Sequence, residues 1–344
     1  MNIRDRRTLH ESAAASVANA GDALKGIVLI YLAIITALTL VGSVLTVLLS
    51  DRIAETGGLS GMGLRSILST AQMLLPWLQA VVLMALQIGY CNVAMRVGRG
   101  EGVSRNSLFF GFRRFFPLLR ATLLQGAVYF CLGMMSMYVS VYIFLMLPVS
   151  AQFREMITPL IEEMTVLSST ITLDEATLME SSKAVMPAIW IFMGLYFLVA
   201  LPTYYNFRMV MYRLVDQEPP RAFLAIRESR VMMRRNRFAL LKLDLSLWWY
   251  YGLQLLIPLV CYGDLLLPLM GIELPIPEMA SYFLFLVLSL ALQAVVYYFF
   301  FNRVAVTYAL AYDALLSQAQ KEAKEKLEQL KARFSGVSGQ GENN

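Results

Sequence analysis

Six stretches of this chain contain no Asp, Glu, Lys, Arg or His, and each is long enough to cross a lipid bilayer as a helix. They are Gly26–Leu49, Ser66–Met95, Ala121–Phe153, Ala184–Phe207, Leu245–Gly263 and Ala280–Asn302. A helix rises about 1.5 Å per residue, so about 20 apolar residues cover a hydrocarbon layer of about 30 Å. No water-soluble core of this size needs six such runs. The sequence therefore predicts an all-α, polytopic membrane protein with six transmembrane helices. Charged residues make up only 15% of the chain, against about 25% in an ordinary soluble domain.

The basic residues fix the expected orientation. Of the 29 Lys and Arg residues, 25 fall in the N-terminal tail, the second and fourth connections and the C-terminal end. The alternate side holds only Arg52, Arg65, Arg154 and Lys183. Cytoplasmic flanks of membrane proteins collect Lys and Arg, so both termini are expected inside the cell. The same asymmetry explains the net charge of +5 without a nucleic-acid ligand.

The expected organisation follows from these runs. Residues 1–25 form a cytoplasmic tail, partly helical and lying on the membrane surface. A six-helix membrane domain occupies residues 26–312, with spans at about 26–49, 68–95, 121–148, 185–207, 243–265 and 280–303. The first run has 24 residues, against about 7–15 in the apolar region of a signal peptide, so it reads as a retained span. Pro76, Pro202 and Pro258 lie inside spans two, four and five. Each removes a backbone hydrogen bond and predicts a kink. Such prolines mark broken transporter helices in some folds, and they are also ordinary in membrane helices.

The longest outer connection, Val149–Lys183, carries Glu155, Glu162, Glu163, Asp174, Glu175 and Glu180. Thr172 and Glu175 have capping-box spacing, predicting a helix that starts near Leu173 and runs into span four. At the other end of the chain, residues 313–334 are rich in Lys, Glu, Ala and Leu. Leu316, Ala319, Ala323, Leu327, Leu330 and Phe334 recur near the helical period. This predicts a cytoplasmic helix continuing span six, with an apolar stripe for the protein itself or a protein partner. Residues 335–344 are Gly/Ser-rich and expected to be disordered.

Two cytoplasmic connections read as amphipathic helices. Over Ser104–Arg120, helical spacing gathers Leu108, Phe109, Phe112, Phe115, Phe116 and Leu119 on one face, with Arg105, Arg113, Arg114 and Arg120 along its flanks. An aromatic face bordered by arginines suits a helix in the headgroup layer. In the fourth connection, Arg227, Arg230, Arg234 and Arg237 form a cationic stripe, opposed by Ala222, Ala225, Ser229 and Met233. Each basic residue near an anionic leaflet contributes about 1 kcal/mol of attraction. Arg113, Arg114, Arg227, Arg230, Arg234 and Arg237 are thus candidate contacts for anionic headgroups.

The same two connections carry a family resemblance. Arg99-Gly100-Glu101 followed by Leu108-Phe109-Phe110-Gly111-Phe112-Arg113-Arg114-Phe115 resembles a pattern of a bacterial integral membrane family, domain of unknown function 975. Ala225-Ile226-Arg227-Glu228-Ser229-Arg230-Val231-Met232-Met233, with Arg237-Phe238 and Leu243-Asp244-Leu245-Ser246, is similar to a second block of that family. Arg234 replaces the glycine usual after the paired methionines. The resemblance covers roughly residues 85–250. It implies a multi-span protein of a bacterial plasma membrane, and it brings no catalytic residue with it.

Tyr90-Cys91-Asn92, Tyr204-Tyr205-Asn206 and Phe300-Phe301-Asn302 repeat an aromatic-x-Asn pattern at the inner ends of the even spans. Three hairpins on one plan, or the usual interfacial aromatics, would both give it. Asn92, Asn206 and Asn302 are expected to make polar contacts between helices, for about 0.6 kcal/mol each.

Catalytic chemistry is not evident. His10 is the single histidine, and Cys91, Cys131 and Cys261 stand alone in apolar segments. No zinc, phosphate-loop, dinucleotide or nucleophile-elbow motif occurs, so no metal, cofactor or enzymatic activity is expected. Asp244, Asp264 and Arg303 fall at the bilayer edges rather than inside, unlike the buried ionisable groups of ion-coupled transporters. Gln72, Gln79, Gln87, Gln125, Gln254 and Gln293 lie within spans. The expected function is a non-enzymatic membrane component that interacts with lipid or assists a partner. The alternative is a permease-like carrier of a lipid or neutral solute, its path lined by those glutamines.

Overall fold

The computed structural model describes residues 5–55, 62–147, 151, 175–269 and 275–338. Among the described residues the regular structure is helical throughout. The capping box at Thr172 and the acids from Glu155 to Asp174 lie outside them, as does the tail from Gly339. The chain stays helical as far as Ser338.

In chain order the helices are α1 (Arg6–Glu55), α2 (Met62–Gly98), α3 (Phe110–Arg113), α4 (Phe115–Met146), α5 (Glu175–Phe207) and α6 (Val210–Asp216). They continue as α7 (Ala222–Met233), α8 (Arg237–Ser246), α9 (Trp248–Cys261), α10 (Gly263–Leu269), α11 (Glu278–Val296) and α12 (Asn302–Ser338). A 3₁₀ turn, Arg105–Phe109, precedes α3, and a π turn, Tyr297–Phe301, joins α11 to α12 as one continuous rod.

Among the described residues, five helical stretches are long and apolar enough to cross a membrane: Arg6–Ile53, Leu64–Gly98, Phe115–Met146, Met186–Asp216 and Met279–Gln329. The protein is therefore a multi-pass membrane protein. The first stretch has 48 residues, or about 72 Å at helical rise. Its uncharged part, Gly26–Leu49, is enough for the membrane, and Arg6–Lys25 projects beyond it.

Three elements differ from the sequence expectation. The stretch 243–265 is not one helix: it is divided among α8, α9 and α10, with breaks at Leu247 and Tyr262. Helix α2 passes through Pro76 without interruption. The sharp bend of α1 comes instead at Gly21, whose φ of 53° and ψ of −133° suit glycine alone. Finally, the N-terminal tail packs on the rest of the protein, with Leu9 and Ala13 fully buried.

The chain forms two compact units, Leu119–Arg208 and the remainder. In the smaller unit, Tyr129 meets Phe207 edge-on at 6.1 Å, and Gly133 sits against the Tyr196 ring. These two contacts run α4 and α5 antiparallel.

In the larger unit, burial is concentrated at the basic end. Leu24, Ile27 and Val28 of α1, Ile88 to Val97 of α2 and Val304 to Leu315 of α12 are the densest contributors to the core. Tyr312 is completely buried and stacks on Tyr212 at 5.8 Å, a pair worth about 1 kcal/mol beyond its area. Toward the other end, Val41, Leu48, Ile67, Met73 and Trp77 are exposed. A water-facing protein does not leave so large an apolar surface uncovered; in hydrocarbon it carries no penalty.

Two glycines set the packing against α2. A Cβ on Gly89 would fall 1.6 Å from the Leu108 carbonyl oxygen, and one on Gly111 would fall 1.8 Å from that of Ala85. Backbone therefore touches backbone where the 3₁₀ turn and α3 cross α2.

Candidate headgroup interface at the basic end

The basic end is held by a chain of ion pairs. Arg99, just past the end of α2, donates to Asp313 of α12 at 2.7 and 3.1 Å and to Asp216 of α6 at 2.9 Å. Tyr312 adds a hydroxyl to Asp216 at 3.1 Å, and Arg213 approaches the same carboxylate at 3.6 Å. Arg213 also pairs with Glu228 of α7. Four elements are thus tied by alternating charges. Hydrogen bonding to Asp313 leads the effects that raise the Arg99 pKa above its ordinary value, so the Arg99 guanidinium stays charged.

Arg114 belongs to this frame. Its guanidinium donates to the Leu214, Val215 and Gln217 carbonyls at 2.6, 3.0 and 2.6 Å, and to Glu218 at 2.9 Å. Helix α6 ends at Asp216 with carbonyls that have no intrahelical partner, and Arg114 supplies both the donors and the charge preferred at a helix C-terminus. The Phe110 ring lies under the guanidinium at 4.7 Å. With only 11% of its side chain exposed, Arg114 serves as an internal cap.

The continuous face expected over Ser104–Arg120 is interrupted at the same point. The backbone leaves the helix at Arg114 before α4 begins. Leu108 turns inward onto α2 and is fully buried, while Phe109, Phe112 and Phe116 are exposed beside exposed Arg105, Arg113 and Arg120. A break of one residue shifts the angular phase of everything after it, so one helical wheel cannot describe both halves.

Helix α7 divides as its pattern suggests. Ala225, Ser229 and Met233 are buried. Arg227, Arg230 and Arg234 lie on the exposed side with Phe223 and Val231, which are 73% and 67% exposed, and Phe238 at the start of α8 is 77% exposed. Spacings of i, i+4, i+7, i+8 and i+11 bring Phe223, Arg227, Arg230, Val231 and Arg234 to one face. Arg237 is half-buried, and its Nε makes no hydrogen bond.

The three asparagines play different parts. Asn302 is buried and accepts the Tyr90 hydroxyl across α2 and α12. Asn92 donates to the Ser107 carbonyl at 3.3 Å, fastening the 3₁₀ turn to α2. Asn206 is half-buried in the smaller unit. Among the glutamines, Gln79 donates to the Leu38 carbonyl at 3.1 Å, Gln72 to Ser50 at 3.0 Å and Gln254 to Tyr250 at 2.8 Å. All three engage the protein itself.

The clamp escaped the sequence reading, although a signal exists. Asp216 and Asp313 stand ten and eleven residues after Asn206 and Asn302, and Arg99 seven after Asn92. No protein-family model matches the chain, and neither the curated proteins nor the solved structures contain a significant match.

Proposed function

We propose that this protein is a non-enzymatic component of a bacterial plasma membrane that engages anionic lipid through its basic, cytoplasmic end. The exposed face of α7 carries this reading: aromatic and aliphatic side chains interleave with Arg227, Arg230 and Arg234 on a helix whose other face buries Ala225, Ser229, Met232 and Met233. Water disfavours that face, whereas a headgroup layer accepts both its halves. Phe109, Phe112, Phe116 and Arg113 extend the same chemistry. Arg114 is committed to the protein interior and leaves the set.

Six crossings fit this arrangement. Trp249 packs on Phe300 at 5.0 Å, and Gly263 sits against the Phe285 ring, so α9 and α10 run antiparallel to α11. The 15 residues from Phe285 to Phe300 rise about 22 Å, which takes the broken fifth segment most of the way across. The likeness to domain of unknown function 975 implies the same multi-span plan. Beyond Leu315, α12 leaves the core and exposes Leu327, offering its apolar stripe to a protein partner. The carrier alternative draws no support from Gln72 and Gln79, which act as interhelical ties, or from Gln254, which bonds within its own helix.

Native mass spectrometry of the protein in nanodiscs tests the lipid reading. With phosphatidylglycerol present, the wild type should retain more anionic lipid than R227Q/R230Q/R234Q. Equal retention overturns the reading. Thr165→Cys and Met270→Cys should react with impermeant maleimide from outside intact cells; reaction only after permeabilisation overturns the topology.

A further inference from the structure

Three segments meet around the single histidine. His10 comes from the first part of α1, Ser246 from the end of α8 and Arg303 from the start of α12. The Ser246 hydroxyl donates to the Leu243 carbonyl at 2.6 Å, so its oxygen is left to accept, and His10 Nε2 lies 2.9 Å from it. That geometry places the proton of the neutral imidazole on Nε2 and leaves Nδ1 as an acceptor.

Two recesses open on either side of this contact. One, of about 580 Å³, is polar and adds Asp5, Arg6, Arg7 and Glu11 to the shared trio. The other, of about 240 Å³, adds Leu247, Trp249 and Val304. An ionic wall thus passes directly into an apolar one. The surface next to the apolar side continues with exposed Leu245, Trp248 and Phe299.

The charges in the polar recess do not cancel. Arg7 is matched by Glu11 at 2.8 Å. The Asp5 carboxylate accepts the Thr8 amide of its own helix at 3.4 Å. Arg6 donates to the Lys242 carbonyl at 3.3 Å, a neutral group, and among the described residues no carboxylate pairs with Arg303. Burial, then Arg303 and Arg6, hold the His10 pKa below its ordinary value of 6.5, the response of an imidazole in a positive field.

We propose that this recess is a specific site for the phosphate of an anionic phospholipid, held by Arg303 and Arg6 beside His10, with the glycerol and chains passing over Trp249 and Leu247. Two guanidiniums supply the forked donors that phosphate favours. Protonated His10 would add a third donor through Nδ1. Indole rings belong at the level where headgroup meets chain. The inference rests on the lipid-facing reading of the basic end, but it uses none of the α7 residues.

His10 is its own reporter, because its imidazole signals can be titrated by NMR without assignment. The full protein is placed in nanodiscs of phosphatidylcholine alone, of phosphatidylcholine with phosphatidylglycerol, and of phosphatidylcholine with millimolar inorganic phosphate in solution. A bound phosphate within a few ångströms should raise the His10 pKa by about one unit or more in the second sample. It should not do so in the third. An equal rise with soluble phosphate overturns the lipid assignment.

An anionic bilayer also lifts surface groups generally, so the difference between the first two samples is compared across variants. R303Q should lose more than half of that difference, and R303K should restore part of it. An undiminished difference in R303Q overturns the site. R227Q/R230Q/R234Q separates the two readings. A His10 response preserved in that variant while bulk lipid retention falls supports the recess, and retention preserved in the wild type without any His10 response removes it.

Discussion

Replacing Arg99 with Gln should loosen the whole basic end. The guanidinium lies between Asp216 and Asp313, with the three side chains 33%, 18% and 27% exposed. Removing one partner of a fully buried pair costs about 3–5 kcal/mol, whereas an exposed pair is worth about 0–1. Partial exposure places R99Q between these, at about 2 kcal/mol, or roughly a thirtyfold shift in the folding equilibrium. D313N should cost about half as much, because Arg99 keeps Asp216. Since the two residues share one contact, R99Q/D313N should fall short of the sum of the single effects by about 1 kcal/mol. R96Q is the comparison. Arg96 and Glu101 pair at 3.4 Å with both side chains about half exposed, and Arg96 also donates to the Ser107 hydroxyl at 3.3 Å. Its effect should stay below about 1 kcal/mol. Apparent melting of the detergent-solubilised protein, followed by intrinsic fluorescence, should drop about 4 °C for R99Q. Strict additivity of R99Q and D313N, or an R99Q no more costly than R96Q, would refute the clamp.

Other expectations concern neighbouring parts of the same end. R114Q removes three carbonyl contacts and the positive charge from the end of α6, and should destabilise by about 2 kcal/mol, while R113Q leaves melting unchanged. G89A and G111A drive a Cβ into backbone oxygens at 1.6 and 1.8 Å, and should lower expression and cost more than about 2 kcal/mol; G126A, with nothing within 4 Å, should be neutral or gain up to about 1 kcal/mol by helix propensity. His10 is depressed below 6.5 by burial and by Arg303 and Arg6, so the unfolded chain binds its proton first. Its contribution to stability is full above that value and is lost as pH falls from it toward the lower folded pKa. Melting curves between about pH 8 and pH 5 should therefore fall more steeply for the wild type than for H10Q; parallel profiles would refute the assignment.

Local periodicity made some of this legible and long-range contact concealed the rest. The inward set Ala225, Ser229 and Met233 follows from 3.6-residue spacing on one uninterrupted helix. Over Ser104–Arg120 the same reasoning fails because the helix breaks at Arg114, and the reason for the break lies in α6, about a hundred residues away. The clamp is more remote still: Arg99 and Asp313 are 214 positions apart, and only their offsets from Asn92 and Asn302 hint at a meeting. A run of uncharged residues likewise identifies apolar surroundings but not continuity, so the breaks at Leu247 and Tyr262 could not be read from it.

The uneven burial suggests how the two ends are stabilised. Lipid chains are as apolar as leucine, so packing between spans gains little from the hydrophobic effect and depends on ties such as Gln79 to Leu38 and Tyr90 to Asn302. The basic end, in contact with water, can use that effect fully, and Leu9, Met209, Leu214 and Tyr312 are buried there to the last few percent. Water also screens and hydrates its ions, which makes a five-member chain from Glu228 to Asp313 tolerable where a bilayer interior would not accept it. The densely buried, ion-paired basic end gives α7 its platform. Under the proposed lipid reading, its arginines and aromatics would meet the headgroup layer without ordering cost at the moment of contact, which is the condition under which about 1 kcal/mol per basic residue sums to a useful affinity.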